Sequence, residues 1–104
     1  MAITSSQLSN VTGTRIFLAT GDQAITTVIF CNTDISTGCT IDVHAVGSGN
    51  VVSTGTLILK QLSLPATETF VLDAEKFILS NGDALYAQAT VNNIVCATVS
   101  SVGI

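Results

Sequence analysis

Any chemistry that needs an imidazole must use His44, the only histidine of the chain. Asp42 precedes it by two residues. On an extended strand the two side chains leave the same face, about 7 Å apart. An Asp-His pair can orient a base for a Ser or Cys nucleophile, but no G-x-S-x-G segment accompanies this one. The favoured reading is two polar residues on a solvated strand face. The acids Asp22, Asp34, Asp42, Glu68, Asp73, Glu75 and Asp83 are the candidates for metal binding or hydrolysis. A calcium loop needs several oxygens at short, regular spacing. Only Asp73 and Glu75 stand close together, and no D-x-D-x-D-G run occurs. These acids read as turn-forming and solubilising. Gly47-Ser48-Gly49 lacks the lysine and the following helix of a phosphate loop and reads as a hairpin tip. The expectation is a protein that is not an enzyme, with no catalytic residue, no cofactor and no metal site.

The three cysteines, Cys31, Cys39 and Cys96, are odd in number and match no zinc spacing. They read as free thiols acting as small apolar side chains. Cys31 and Cys39 flank a Gly/Ser/Thr turn, which leaves a disulfide across a hairpin open once the protein meets an oxidising medium.

The elements that would position these residues are short β-like runs separated by turn residues. The runs cover residues 14–19, 24–32, 39–46, 56–64, 68–73, 84–90 and 94–102. Residues 76–79 fit a short strand or one helical turn. Ser80-Asn81-Gly82-Asp83 carries the strongest turn signal, because Asn-Gly accepts positive φ. Pro65-Ala66-Thr67 makes a corner. No window shows a helical apolar period, and Val, Ile and Thr, which favour strands, are abundant. The expected fold is all-β: an antiparallel two-sheet sandwich, jelly-roll or Ig-like, of seven or eight strands at residues 14–104. Residues 1–13, uncharged and rich in Ser and Thr, read as an extended N-terminal arm.

Alternation assigns the faces. Cys39, Ile41, Val43 and Ala45 share one face of their run, and Thr40, Asp42 and His44 share the other. The run at 24–32 differs, since Ile25, Thr27, Ile29 and Cys31 oppose Thr26, Val28, Phe30 and Asn32, with apolar bulk on both faces. The last run is similar, with Val95, Ala97 and Val99 opposite Cys96, Thr98 and Val102. A strand apolar on both faces is covered twice or lies at a subunit interface. Lys60, between Leu59 and Leu62, fits an edge charge that blocks aggregation or a partner for an acid across a subunit contact.

Composition narrows the function classes. Only 10% of the 104 residues are charged and 47% are hydrophobic, against about 25% charged in typical globular domains. A surface so poor in charge suits burial against neighbouring subunits. Three basic residues, Arg15, Lys60 and Lys76, within a net charge of −4 cannot replace counterions along a phosphate backbone, so no nucleic-acid partner is expected. No apolar stretch has membrane-spanning length, and residues 1–10 lack the regions of a secretory signal. The expectation is no membrane partner, synthesis in a cytoplasm, and reduced thiols there.

Three segments carry a family likeness. Ile25-Thr26-Thr27-Val28-Ile29-Phe30-Cys31-Asn32-Thr33 resembles an opening strand of small virion proteins of tailed bacteriophages. Leu64-Pro65-Ala66-Thr67-Glu68-Thr69-Phe70-Val71-Leu72-Asp73 resembles their Pro-Ala corner, and Lys76-Phe77-Ile78-Leu79-Ser80-Asn81-Gly82-Asp83-Ala84-Leu85-Tyr86-Ala87 their Gly-Asp hairpin. The likeness covers residues 25 to 102. It implies a non-enzymatic virion structural protein located in the particle, with capsid decoration (cement) favoured. The implied partners are copies of itself, as a trimer or dimer, and the major capsid protein or another virion protein. A tail, neck or baseplate accessory protein is the alternative, or a receptor- or carbohydrate-binding sandwich module.

Overall fold

The computed structural model describes residues 2–9, 14–72 and 77–103. The described residues form nine strands: β1 Ala2–Gln7, β2 Thr14–Leu18, β3 Gln23–Asn32, β4 Cys39–Val46, β5 Leu57–Leu64, β6 Thr69–Leu72, β7 Phe77–Leu79, β8 Ala84–Ala89 and β9 Val95–Gly103. A 3₁₀ turn, Thr54–Thr56, precedes β5. The first sheet has the order β1-β9-β3-β6, with β7 also on β3, and the second has the order β2-β8-β4-β5. Every pairing is antiparallel. No helix among the described residues is long and apolar enough to cross a membrane.

The connectivity is a nested hairpin rolled onto itself. β1 pairs with β9, β2 with β8, β3 with β6 and β7, and β4 with β5. Rolling then brings β9 beside β3 and β8 beside β4. This is the jelly-roll arrangement of two Greek keys, which decides between the two sandwich types left open by the sequence. β6 lies along residues 28–31 of β3 and β7 along residues 23–25. They are two halves of one interrupted strand position, so eight positions are filled.

The expected N-terminal arm is extended, but it is part of the sandwich. β1 runs in unbroken register along β9 from Ala2 to Gln7. Leu8 follows, fully buried, and its N–H donates to the Val95 carbonyl at 2.8 Å. A buried leucine contributes about 1.5–3 kcal/mol, which accounts for the docking of this segment on its own domain. Met1 and residues 10–13, the rest of that arm, lie outside the described residues.

The core sits between the sheets, with Phe30, Ile41, Val43, Leu64, Leu85 and Val99 at its centre. β3 explains its doubly apolar sequence through a bulge between Ile25 and Thr27. Ile25 points inward before the bulge, and Val28, Phe30 and Asn32 point inward after it. The extra residue, Thr26, turns its hydroxyl to the Ser100 carbonyl at 3.1 Å. Strict alternation therefore mixes two phases of one buried face.

Candidate functional site

Among the described residues, the charged, imidazole and phenol side chains of the strands gather on the second sheet. In its register Arg15 of β2 stands opposite Tyr86 of β8, Tyr86 opposite His44 of β4, and His44 opposite Leu57 of β5. The adjacent row holds Gln88 and Asp42. Lys60 lies on β5, at the edge of this sheet, and is exposed. The fold thus brings Tyr86 and Arg15, distant in the sequence, beside the Asp42-Val43-His44 segment.

Their hydrogen bonds are structural. The Asp42 carboxylate accepts the Gln61 N–H at 2.7 Å, and Gln61 has a positive φ of 53°. That residue sits where β4 and β5 lose register, so Asp42 caps a β-bulge. His44 was expected on a solvated face and is instead 6% exposed. The 3₁₀ turn closes over it, and its Nδ1 lies 2.8 Å from the Thr56 hydroxyl. Thr56 Oγ1 donates to the Ser53 carbonyl at 2.8 Å and accepts the Ser53 N–H at 3.1 Å. In either tautomer the His44 Nδ1 is engaged by Thr56, and Asp42 is committed to Gln61. The pair that the spacing suggests does not form.

The first sheet presents the opposite surface. Its outward positions fall in rows across the strands: Ile3, Ser100 and Thr27; Ser5, Thr98, Ile29 and Val71; Gln7, Cys96, Cys31 and Thr69; and Val102, Ala24 and Ile78. None of these is Asp, Glu, Lys, Arg or His. Ile3 is 71% exposed, Ile78 64% and Val71 45%. Among the described residues, every charged side chain lies on the second sheet or in a loop.

The edges differ in the same way. β2 carries Arg15 and a bulge between Arg15 and Phe17. β5 carries Lys60 and is bulged twice against β4. Charges and bulges of this kind deter pairing with another chain. β1, the edge of the first sheet, has neither. Between β1 and β2 lies a groove of about 300 Å³ lined by Thr4, Ser6, Arg15, Ile16, Phe17 and Leu18; no carboxylate, imidazole or thiol lines it.

The remaining acids order loops. The Asp34 carboxylate accepts the N–H groups of Ser36 and Thr37, at 3.1 and 2.7 Å. Those bonds, with the Ser36 N–H first in effect, hold its carboxyl below the ordinary carboxylate value. Asp83 accepts from Ser80 N–H and Ser48 N–H, both at 2.9 Å, which lowers its carboxyl for the same reason. Asp73, Glu75 and Lys76 lie outside the described residues. Among the described residues, no three His, Cys, Asp or Glu side chains converge as a metal site would require.

Cys39 lies on β4 in the second sheet, and burial pushes its thiol up. Cys31 lies on β3 in the first sheet, opposite Cys96. The hairpin pairing of Cys31 with Cys39 is thus replaced by a cross-strand neighbour 65 residues away (96 − 31). Compared with known proteins, the chain matches no family model, no curated protein and no solved structure at a significant level.

Proposed function

We propose that the protein is a non-enzymatic structural component of a bacteriophage particle, a capsid decoration protein acting through contacts with further copies of itself and with the major capsid protein. The observation that carries this reading is the uncharged outer face of the first sheet, with Ile3, Ile29, Val71 and Ile78 set among Ser and Thr. A second copy is the occupant it suits. Two such faces can stack without stripping water from any charge, the step that makes interfaces costly. Strands about 4.8 Å apart and 3.3 Å per residue long give the face roughly 20 by 25 Å. Two stacked faces then bury on the order of 1,000 Å², the size at which specific association begins. The unprotected β1 edge extends that surface.

Two further points support the reading. Jelly rolls recur in viral capsid domains. The segments at residues 25–33, 64–73 and 76–87 resemble those of small tailed-phage virion proteins. Gold-labelled antibody against the protein, applied to purified particles of the virus that encodes it, tests the reading. Label on heads is the expected result. Label confined to tails, necks or baseplates moves the protein to the accessory class, and unlabelled particles overturn the virion role.

A further inference from the structure

The strand pairing brings two thiols together on the first sheet. Cys31 and Cys96 are register partners on β3 and β9, the two strands at the middle of that sheet. The Thr33 N–H donates to the Ile94 carbonyl at 2.7 Å, while the Asn32 N–H turns the other way, to Glu68 at 2.9 Å. This phase makes Cys31 and Cys96 a hydrogen-bonded pair, with Cα atoms about 5.5 Å apart, inside the window of about 4.4–6.8 Å that a disulfide spans. Their side chains share the outer face. The neighbours on each strand, Asn32 and Val95, point inward and are buried, whereas both cysteines are half-exposed. In a copy whose outer face is not covered by another, an oxidant can therefore reach them.

We propose that Cys31 and Cys96 form a reversible disulfide that staples β3 to β9 on the outer face of the first sheet. The oxidant is a low-molecular-weight disulfide. The thiolate of one cysteine attacks a sulfur of the reagent, forming a mixed disulfide and expelling one reagent thiolate. The thiolate of the second cysteine attacks the protein sulfur of that mixed disulfide. It forms the Cys31–Cys96 bond and expels the second reagent thiolate. The two cysteine protons end on the two reagent thiols. The protein pair is oxidised by two electrons and the reagent is reduced by two.

The pair geometry also sets the bond's character. Hydrogen-bonded cross-strand partners hold their Cβ atoms near 5.5 Å, whereas a relaxed disulfide wants about 3.8 Å. Closure must draw the strands together locally, and strained, exposed disulfides are the readily reduced ones. Cys39 is excluded by its place: it belongs to the other sheet and packs against the core.

The full chain incubated with oxidised glutathione, quenched with iodoacetamide and digested without reduction tests this. The expected result is a Cys31–Cys96 cross-linked peptide, an alkylated Cys39, and loss of the cross-link on brief exposure to millimolar dithiothreitol. Cys39→Ser should keep the cross-link; Cys31→Ser and Cys96→Ser should each lose it. A cross-link to Cys39, a disulfide-linked dimer, a glutathione adduct that never resolves, or three alkylated thiols overturns the proposal. The wild-type digest decides even where a variant fails to fold.

Discussion

The two sheets share one core and present opposite outsides. The second sheet displays Arg15, Tyr86, Asp42 and Lys60 outward, with His44 tucked beneath the Thr54–Thr56 turn, and its edge strands are bulged. Among the described residues the first sheet displays only uncharged side chains, and it ends on β1, an edge with unbroken register. Among the described residues the few charges are unevenly placed, on the second sheet and in loops, with none on the outer face of the first sheet. Polar side chains on the second sheet keep that face in water, while the first sheet remains suitable for contact. On the proposed function, association falls to the first side and solvation to the other.

The largest effects should come from the shared core, which both faces need. Phe30→Ala, at a fully buried position of β3, should cost about 3–5 kcal/mol in urea unfolding followed by circular dichroism. Ile29→Ala, its neighbour on the outer face, should cost about 1 kcal/mol and lower the association constant instead. Equal costs would erase the distinction between the two sides of β3.

Asn32 ranks next. Its amide donates to the Thr37 and Leu64 carbonyls at 2.9 and 3.1 Å, and its oxygen accepts the Asp34 N–H at 3.0 Å. It ties the first sheet to the end of β5 in the second. Asn32→Ala strands those groups and should cost about 1–3 kcal/mol, read from the same unfolding curves.

Gly82 should follow at about 1 kcal/mol or more. Its φ is +90°, and a Cβ there would lie 2.5 Å from the Ser48 hydroxyl oxygen. Gly82→Ala should lower the melting temperature, and adding Ser48→Gly should restore only the part due to the clash.

The smallest effect is one of pH. Asp34 and Asp83 hold loops beside opposite ends of β3, and both carboxyls are depressed from 3.8. A group lowered by folding adds stability above its unfolded value and loses it as pH falls through the folded one. Melting temperature should therefore drop on acidification below about pH 4, and less steeply in Asp34→Asn.

Much of this was legible in the residues. The turn at Ser80-Asn81-Gly82-Asp83, the strand at Cys39–Val46 and the inward set Val95, Ala97 and Val99 follow from turn chemistry and alternation. Three features were not. The β3 bulge inserts one residue without a marker such as Gly, so the alternation misleads. The burial of His44 depends on a turn ten residues downstream, which periodicity within β4 cannot report. The N-terminal strand has weak apolar signal, and only its pairing with the far C-terminal strand reveals it. The Cys31–Cys96 contact is hidden for that last reason too: register between distant strands is a property of the roll.

The central claim, that the first sheet's outer face is where copies meet, is tested most directly by matched charges. Ile29→Asp on that face and Gln88→Asp on the other can be compared with the wild type by size-exclusion chromatography with light scattering, at matched high micromolar concentration. The account predicts an assembled wild type, an assembled Gln88→Asp protein, and a folded monomer for Ile29→Asp. A monomeric wild type, or an Ile29→Asp protein that assembles undiminished, would contradict it.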